Sequence, residues 1–236
     1  MADTVKPLTR KERARRTRSR IIDAASALFA TNGYGGTTME AVARQSGVAV
    51  QTVYLVFRTK PNMLVETLME VAWGPDPRSP AARRWLTDME EAPDGPRRLA
   101  IAADAGVEIY RRAAPLFPAL IAGSSVDDDV RATFARIVDE RRAAMSHVIS
   151  QMHDRGELRE GITLGYGTEI LIALHRHQLY LACIEECGWS VETFKAWLYR
   201  TLCQQLLPES IGTVAIAPGS LATAGTSFED ALRALP

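Results

Sequence analysis

The chain has 236 residues, 47% of them hydrophobic, and its 28 Lys and Arg are balanced by 28 Asp and Glu. The opening MADTVKPLTR lacks the apolar core of an export signal, and no apolar run approaches the roughly 18 residues that a membrane span needs. Three cysteines do not suggest a disulfide framework, and the P-loop, GxSxG and HExxH motifs are missing. The sequence therefore predicts a cytoplasmic protein with no catalytic site, no cofactor and no membrane partner.

The charges are distributed unevenly along the chain. Residues 1–60 contain 11 of the 28 basic residues but only 4 of the 28 acidic ones, and seven of those basic residues lie between Arg10 and Arg20. Such asymmetry points to nucleic acid at the basic end. We therefore predict a flexible basic arm over residues 1–17, with Arg16 and Arg18 near backbone phosphate or the minor groove. The alternative is an arm that is only solvated.

Three short helices are predicted next, over residues 18–62. Apolar residues recur at helical spacing from Ile21 to Phe29, and Asn32-Gly33 ends that helix. Thr37 and Glu40 have the spacing of a capping box for the second helix. Gly47 breaks this helix, and a third runs from about residue 49 to Phe57 with Val53, Val56 and Phe57 on its buried side. The pattern is that of a helix-turn-helix module.

The remaining side chains of the third helix suit DNA. Gln51 can form a bidentate pair with adenine, whereas Val50 and Leu55 can pack on a thymine methyl group. Phosphate oxygens are suitable partners for hydroxyl and ammonium groups, which position a protein without reading sequence. The predicted phosphate contacts are Thr37, Thr38, Thr52, Tyr54 and Lys60. Taken singly, each has an ordinary interpretation as a helix cap, a buried ring or a solvated charge.

The stretch from Arg18 to Ala72 resembles the DNA-binding domain of the TetR (tetracycline repressor-like) transcriptional regulators. The resemblance implies phosphate contacts for the threonines, the tyrosine and the lysine named above, and base reading at the start of the third helix. Ala49 departs from the family pattern, in which a capping serine or threonine is common. The matching positions are Ile22, Ala25, Leu28-Phe29, Gly33-Tyr34, Thr37-Thr38, Val42-Ala43, Gly47-Val48, Thr52, Tyr54, Phe57, Lys60 and Leu64.

Helical patterns continue over residues 63–208, and strand-like alternation of useful length is missing, so we predict an all-α chain. A helix over about 126–154 has Ser125 as its expected cap. Further helices are predicted over about 163–187 and 190–207, the second of them with Ser190 as its expected cap. The first of these two is apolar on more than one side, which favours a homodimer through a four-helix bundle over burial within one chain. Resemblance to the TetR family implies the same dimer. Residues 209–236 are expected to be a flexible tail.

Family resemblance also implies a small-molecule cavity in the second domain. Each candidate lining residue has an ordinary interpretation as core or surface. Cys183, Cys187 and Cys203 are expected to be free thiols, with no metal site. The candidates are Trp73, Trp85, Tyr110, Phe117, Phe134, Arg141, His175 and Tyr180.

The sequence thus favours a ligand-responsive DNA-binding regulator, a repressor that a small-molecule inducer releases from a palindromic operator in double-stranded DNA. Its predicted fold is an N-terminal three-helix helix-turn-helix domain followed by a helical ligand-binding and dimerisation domain. The alternative is a helical small-molecule-binding or interaction protein with no operator-specific DNA binding.

Overall fold

A computed structural model of the chain describes residues 9–76 and 84–209, and throughout these ranges its regular elements are helical. The all-α prediction is confirmed. Residues 1–8 of the expected arm and residues 210–236 of the expected tail lie outside the described residues. The helices are α1 (Arg10–Gly36), α2 (Met39–Ser46), α3 (Val50–Phe57), α4 (Lys60–Trp73), α5 (Arg84–Glu90), α6 (Gly95–Ala113), α7 (Phe117–Val126), α8 (Asp128–Asp154), α9 (Leu164–Leu174), α10 (His177–Leu181) and α11 (Val191–Leu206).

The chain divides into two compact units. The first comprises residues 1–77 and 115–135, and the second comprises residues 78–114 and 136–236. The first unit thus contains α1–α4, α7 and the first turns of α8, whereas the sequence placed a domain boundary after residue 62. Helix α4 belongs to the first unit because it packs on α1 and α3, and α7 belongs there because it packs on α1 and α4.

The first unit is built around one face of α1. Ile21, Ala25 and Phe29 are at most 1% exposed, and this face of α1 contacts α2, α4 and α7. Val53 and Phe57 of α3 are equally buried, so the short α3 is held by its apolar side. Eight-residue helices are marginal in isolation, and packing of this kind supplies most of their stability.

The basic segment differs from the flexible arm that we predicted, because α1 already begins at Arg10. Thr9 and Glu12 form a capping box: the Thr9 backbone N–H donates to Glu12 Oε2 (2.6 Å), and the Glu12 N–H donates to Thr9 Oγ1 (3.2 Å). These bonds satisfy two backbone donors that a helix start otherwise leaves open. Residues 10–17 are therefore two helical turns that continue into the buried part of α1.

The predicted capping box at Thr37 and Glu40 is wrong by one residue. Thr38 is the N-cap of α2, and its hydroxyl accepts from the Ala41 N–H (3.1 Å). Thr37 is fully buried, and its hydroxyl donates to the carbonyl of Gly33 (2.8 Å), where the positive φ of 66° bends the end of α1. Two adjacent threonines compete for the cap, and the bend at Gly33 turns Thr37 inward.

The second unit has its core between α6, α9 and α11. Leu99, Ala103 and Val107 of α6 are fully buried, and α6 and α9 both pack on α11. Ser190 caps α11 as expected, with its hydroxyl accepting from the Thr193 N–H (3.0 Å). Buried residues on the α11 side are Phe194, Leu198, Tyr199, Leu202 and Leu206.

The continuous helix predicted over about 163–187 is interrupted. Helix α9 ends at Leu174, His175 has φ −92° and ψ 56°, and α10 begins at His177 before a π-helical turn over Ala182–Glu186. Two tertiary hydrogen bonds explain the break, because the carbonyl of His175 accepts from Tyr110 Oη and from Arg141 Nη1 (3.3 Å). These partners lie on α6 and α8, so local sequence contains no signal for them.

Helix α8 also begins differently from the prediction. Its N-terminal amides are capped by Asp127, whose Oδ1 accepts from the N–H groups of Asp129 (3.0 Å) and Val130 (3.3 Å). The expected cap, Ser125, instead belongs to the last turn of α7 and donates to the Ile121 carbonyl (3.1 Å). The α7–α8 junction is therefore a single residue.

Candidate nucleic-acid interface

Helix α3 is fixed by a tight turn after α2. Gly47 adopts the left-handed conformation (φ 65°, ψ 39°) that ends α2, which favours glycine at this position. Arg20 of α1 donates to the carbonyls of Ser46 and Gly47, the second at 3.1 Å. The turn is thus held against α1 by one guanidinium, a role that the sequence analysis did not assign to Arg20.

Helix α3 carries five of the ten residues that were predicted to contact DNA. Gln51, Tyr54 and Leu55 are exposed, with 45% of Tyr54 and 82% of Leu55 accessible, while Val50 and Thr52 are half-buried. These residues lie on a helix, and the major groove is wide enough to admit one.

Glu40 is an acidic neighbour that the sequence analysis missed. The hydroxyl of Tyr54 donates to Glu40 Oε1 (3.2 Å), linking the outer sides of α2 and α3. The negative charge of Glu40 raises the pKa of the Tyr54 phenol. Tyr54 therefore already has a carboxylate partner at the hydroxyl that was predicted to meet a phosphate.

Lys60 lies at the start of α4, and Thr59 caps that helix. The Nζ atom of Lys60 is 4.2 Å from the centroid of the Tyr34 ring, and the Lys60 side chain is half-buried. Burial lowers the pKa of Lys60, while the nearby Asp127 carboxylate opposes that shift.

Two residues that were predicted to contact phosphate have other partners in the structure. Thr37 is fully buried with its hydroxyl bonded to Gly33, so it cannot reach a phosphate in this conformation. Arg18 is ion-paired to Glu66 (2.8 Å) and Glu70 (3.2 Å) on α4, and its guanidinium carbon is 5.0 Å from the centre of the Phe57 ring. Arg18 therefore holds α1 against α4, a role that the sequence analysis did not assign to it.

The rest of the basic surface is exposed. Arg16 lies on the solvent side of α1, and Arg44 of α2 and Arg58 after α3 are further exposed cations that the sequence analysis did not single out. Arg58 has a positive φ of 65° in the tight connection to α4. The other exposed cations on the first turns of α1 are Arg10, Lys11, Arg13 and Arg15.

The predicted ligand residues are divided between the units. Trp73, Phe117 and Phe134 belong to the first unit, and Trp85 lies on α5 in the second. The other four are linked inside the second unit: Tyr110 and Arg141 both donate to the His175 carbonyl, and the rings of Tyr110 and Tyr180 are 6.0 Å apart. Within residues 9–76 and 84–209, no three metal-ligating side chains are grouped so that they could hold a metal ion. In the same ranges, no helix has the length and apolar character that a membrane crossing requires.

Comparison with known proteins identifies the first unit. Residues 21–67 match the family described as "Bacterial regulatory proteins, tetR family". A 50-residue segment is 42% identical to the fatty acid metabolism regulator protein of Bacillus subtilis, covering 21% of this chain and 26% of that protein. The matching segment thus spans about a quarter of the length of the curated relative.

Solved structures share the fold over most of the chain. The transcriptional regulator FadR from Bacillus subtilis, in complex with stearoyl-CoA, is 18% identical with a TM-score of 0.62, covering 78% of this chain and 97% of that one. NalD from Pseudomonas aeruginosa, the secondary repressor of the MexAB-OprM multidrug efflux pump, is 19% identical with a TM-score of 0.63, covering 82% and 98%.

The first unit is accordingly a helix-turn-helix domain, with α2 and α3 as the two helices of the motif. Residues 21–67 thus match the DNA-binding part of the TetR family of bacterial regulatory proteins, and the fold shared with the solved regulators extends through the second unit.

Proposed function

We propose that the protein is a DNA-binding transcriptional regulator of the cytoplasm, not an enzyme, and that it represses transcription until a small molecule releases it. The observation that carries this proposal is the outer surface of α3, where Gln51, Tyr54 and Leu55 are exposed in the same unit as the exposed cations on the first turns of α1. Val50, Gln51 and Leu55 would contact base edges, whereas Thr38, Thr52, Tyr54, Lys60 and Arg16 would contact phosphates.

A second copy of the chain would complete the operator contact. One eight-residue reading helix covers few base pairs, and two related by a twofold axis match a palindrome with half-sites about 34–36 Å apart. The apolar α9 and α11 are the surface that we assign to the dimer, where Leu164 is 41% and Tyr166 57% exposed in the single chain. An isologous bundle of these helices would cover both side chains.

The inducer site is assigned to the group formed by Tyr110, Arg141, His175 and Tyr180 in the second unit. NalD is a repressor and FadR was solved with stearoyl-CoA, which supports a ligand-responsive repressor of this fold. By linkage, an inducer releases DNA only if it binds more tightly to the conformation that DNA disfavours.

The direct test is selection of sequences from random DNA by the full-length protein, followed by affinity measurements at several salt concentrations. We expect a palindrome, with Tyr54→Ala and Lys60→Ala each weakening binding about tenfold and Lys60→Ala reducing the salt slope by about one. Arg84→Ala, which removes an exposed charge in the second unit, is the control. A compound screen for release of DNA then tests the inducer. Unchanged binding by both variants, or no binding at low salt, would favour the alternative interaction protein.

Glu40→Gln should strengthen DNA binding about twofold to fivefold, because it removes a negative charge next to the phosphate-facing hydroxyl of Tyr54. The measurement is the dissociation constant for the selected operator at low salt. Glu160→Gln, an equivalent change at an exposed position of the second unit, should leave the constant unchanged. Weaker binding by Glu40→Gln would mean that Glu40 instead positions Tyr54 for DNA.

A further inference from the structure

Three polar side chains meet where the helix-turn-helix domain contacts the α7–α8 junction. The hydroxyl of Tyr34 donates to Asp127 Oδ2 at 2.5 Å, and Lys60 Nζ lies 4.2 Å from the centroid of the same ring. The three residues come from the end of α1, the cap of α8 and the first turn of α4. All three belong to the first unit.

The ring of Tyr34 is tightly confined. A Cβ atom on Gly123 of α7 would lie 3.1 Å from Tyr34 Cγ, so the ring packs closely against the backbone of that helix. On another side the ring stacks with Phe29, at a centroid distance of 6.3 Å and an interplanar angle of 9°. A ring held in this way can transmit a small displacement of α7 or Asp127 to whatever rests on its face.

Lys60 is held by this ring without being neutralised. Within the described ranges no carboxylate oxygen lies within 4 Å of its Nζ, although Asp127 is close enough for its charge to be felt. A phenol that donates to a carboxylate becomes more electron-rich, which strengthens the attraction of its face for a cation. The Tyr34 ring therefore positions the Lys60 ammonium without an ion pair within the described ranges, so the ammonium can pair with another anion.

We propose that Tyr34 and Asp127 form a latch that positions the Lys60 ammonium for a DNA phosphate and makes that position depend on the α7–α8 junction. This inference rests on the proposed DNA-binding function. Residues 115–135 are joined at both ends to chain segments of the second unit, so a conformational change in the second unit can act on the α7–α8 junction along the chain. Asp127 and Tyr34 are positioning residues, since Lys60 alone touches the phosphate.

The test uses the full-length protein and the operator selected above. Tyr34→Phe keeps the ring and removes only the hydroxyl, and we expect binding to weaken about threefold to tenfold with a smaller salt slope. Asp127→Asn should weaken binding similarly, because asparagine still caps α8 but accepts the phenol proton less strongly. Asp129→Asn removes the same charge two residues away and is the matched control.

A double-mutant cycle distinguishes the latch from a general loss of stability. In a Lys60→Gln background, Tyr34→Phe should no longer change DNA affinity, because its effect passes through the ammonium. If Tyr34→Phe weakens binding equally with and without Lys60, or if it binds like the wild type, the latch is refuted while the proposed function stands. If the wild-type protein shows no salt-dependent DNA binding, the proposed function itself fails and the latch with it.

Discussion

Arg98→Met should destabilise the chain by about 3–5 kcal/mol, the range found when one partner of a buried ion pair is removed. Arg98 is 0% exposed, and its Nε is 3.4 Å from Glu157 Oε2. The guanidinium also donates to the carbonyls of Met89 and Ala92, the second at 3.0 Å. Methionine has a similar volume but no donor, so the Met89 carbonyl and a largely buried carboxylate would lose their partner, while the Ala92 carbonyl would still accept from Arg155. Urea unfolding followed by circular dichroism measures the change.

The neighbouring arginine provides the control for this prediction. Arg97 is exposed on the same helix, and Arg97→Met should change the free energy of unfolding by at most about 0.5 kcal/mol. The double variant Arg98→Met/Glu157→Gln should be more stable than Arg98→Met, because it no longer leaves a charged carboxylate without its cation. Equal stability of Arg98→Met and Arg97→Met would show that the buried network contributes little.

Acidification should destabilise the second unit through His177, by up to about 3 kcal/mol between pH 6.5 and pH 4. Burial, with the positive charges of Arg141 and Arg176, lowers the pKa of His177 to about 4. Between these two pKa values the unfolded chain binds a proton at His177 that the folded chain does not bind. The contribution of His177 to the free energy of unfolding is therefore fully present above the unfolded pKa of about 6.5, and it is lost as the pH drops toward the folded pKa. Burial also lowers the pKa of His175, so protonation of His175 would add to this loss of stability.

The contribution of His177 can be isolated by substitution. His177→Gln cannot take up the proton, so its free energy of unfolding should fall less than that of the wild type over the same pH window. Urea unfolding at intervals from pH 7 to pH 4 gives both curves. His153→Gln removes an exposed histidine of α8 and serves as control. Parallel curves for the wild type and His177→Gln would show that this imidazole does not resist protonation in the folded state.

The sequence was most informative where structure is determined by neighbouring residues. The spacing of Val53 and Phe57 predicted which side of α3 is buried, and Gly47 predicted the turn before it, since both depend on helical periodicity and backbone conformation. Ser190 was predicted as a cap because a cap and its acceptor amide are three residues apart. The predicted surface residues of α3 were found together for the same reason.

The sequence was least informative where the local structure depends on a residue far away in the sequence. Arg18 looked like one more cation of the arm, and only the fold brings Glu66 and Glu70 to it, 48 and 52 residues away. The break at His175 depends on Tyr110 and Arg141 from other helices. Thr37 and Thr38 are chemically alike, and the bend at Gly33 decides which one caps.

The capping of the first four helices has a consequence for how the protein meets a duplex. Threonine caps α1, α2 and α4, at positions 9, 38 and 59, whereas Ala49 gives α3 no side-chain acceptor. The helix that we propose as the operator-facing one is thus the one whose first amides receive no side-chain cap, and a backbone phosphate can supply an acceptor oxygen. Part of the ordering of this motif is then completed by the nucleic acid itself, so the free protein and the bound protein need not have equally firm reading helices.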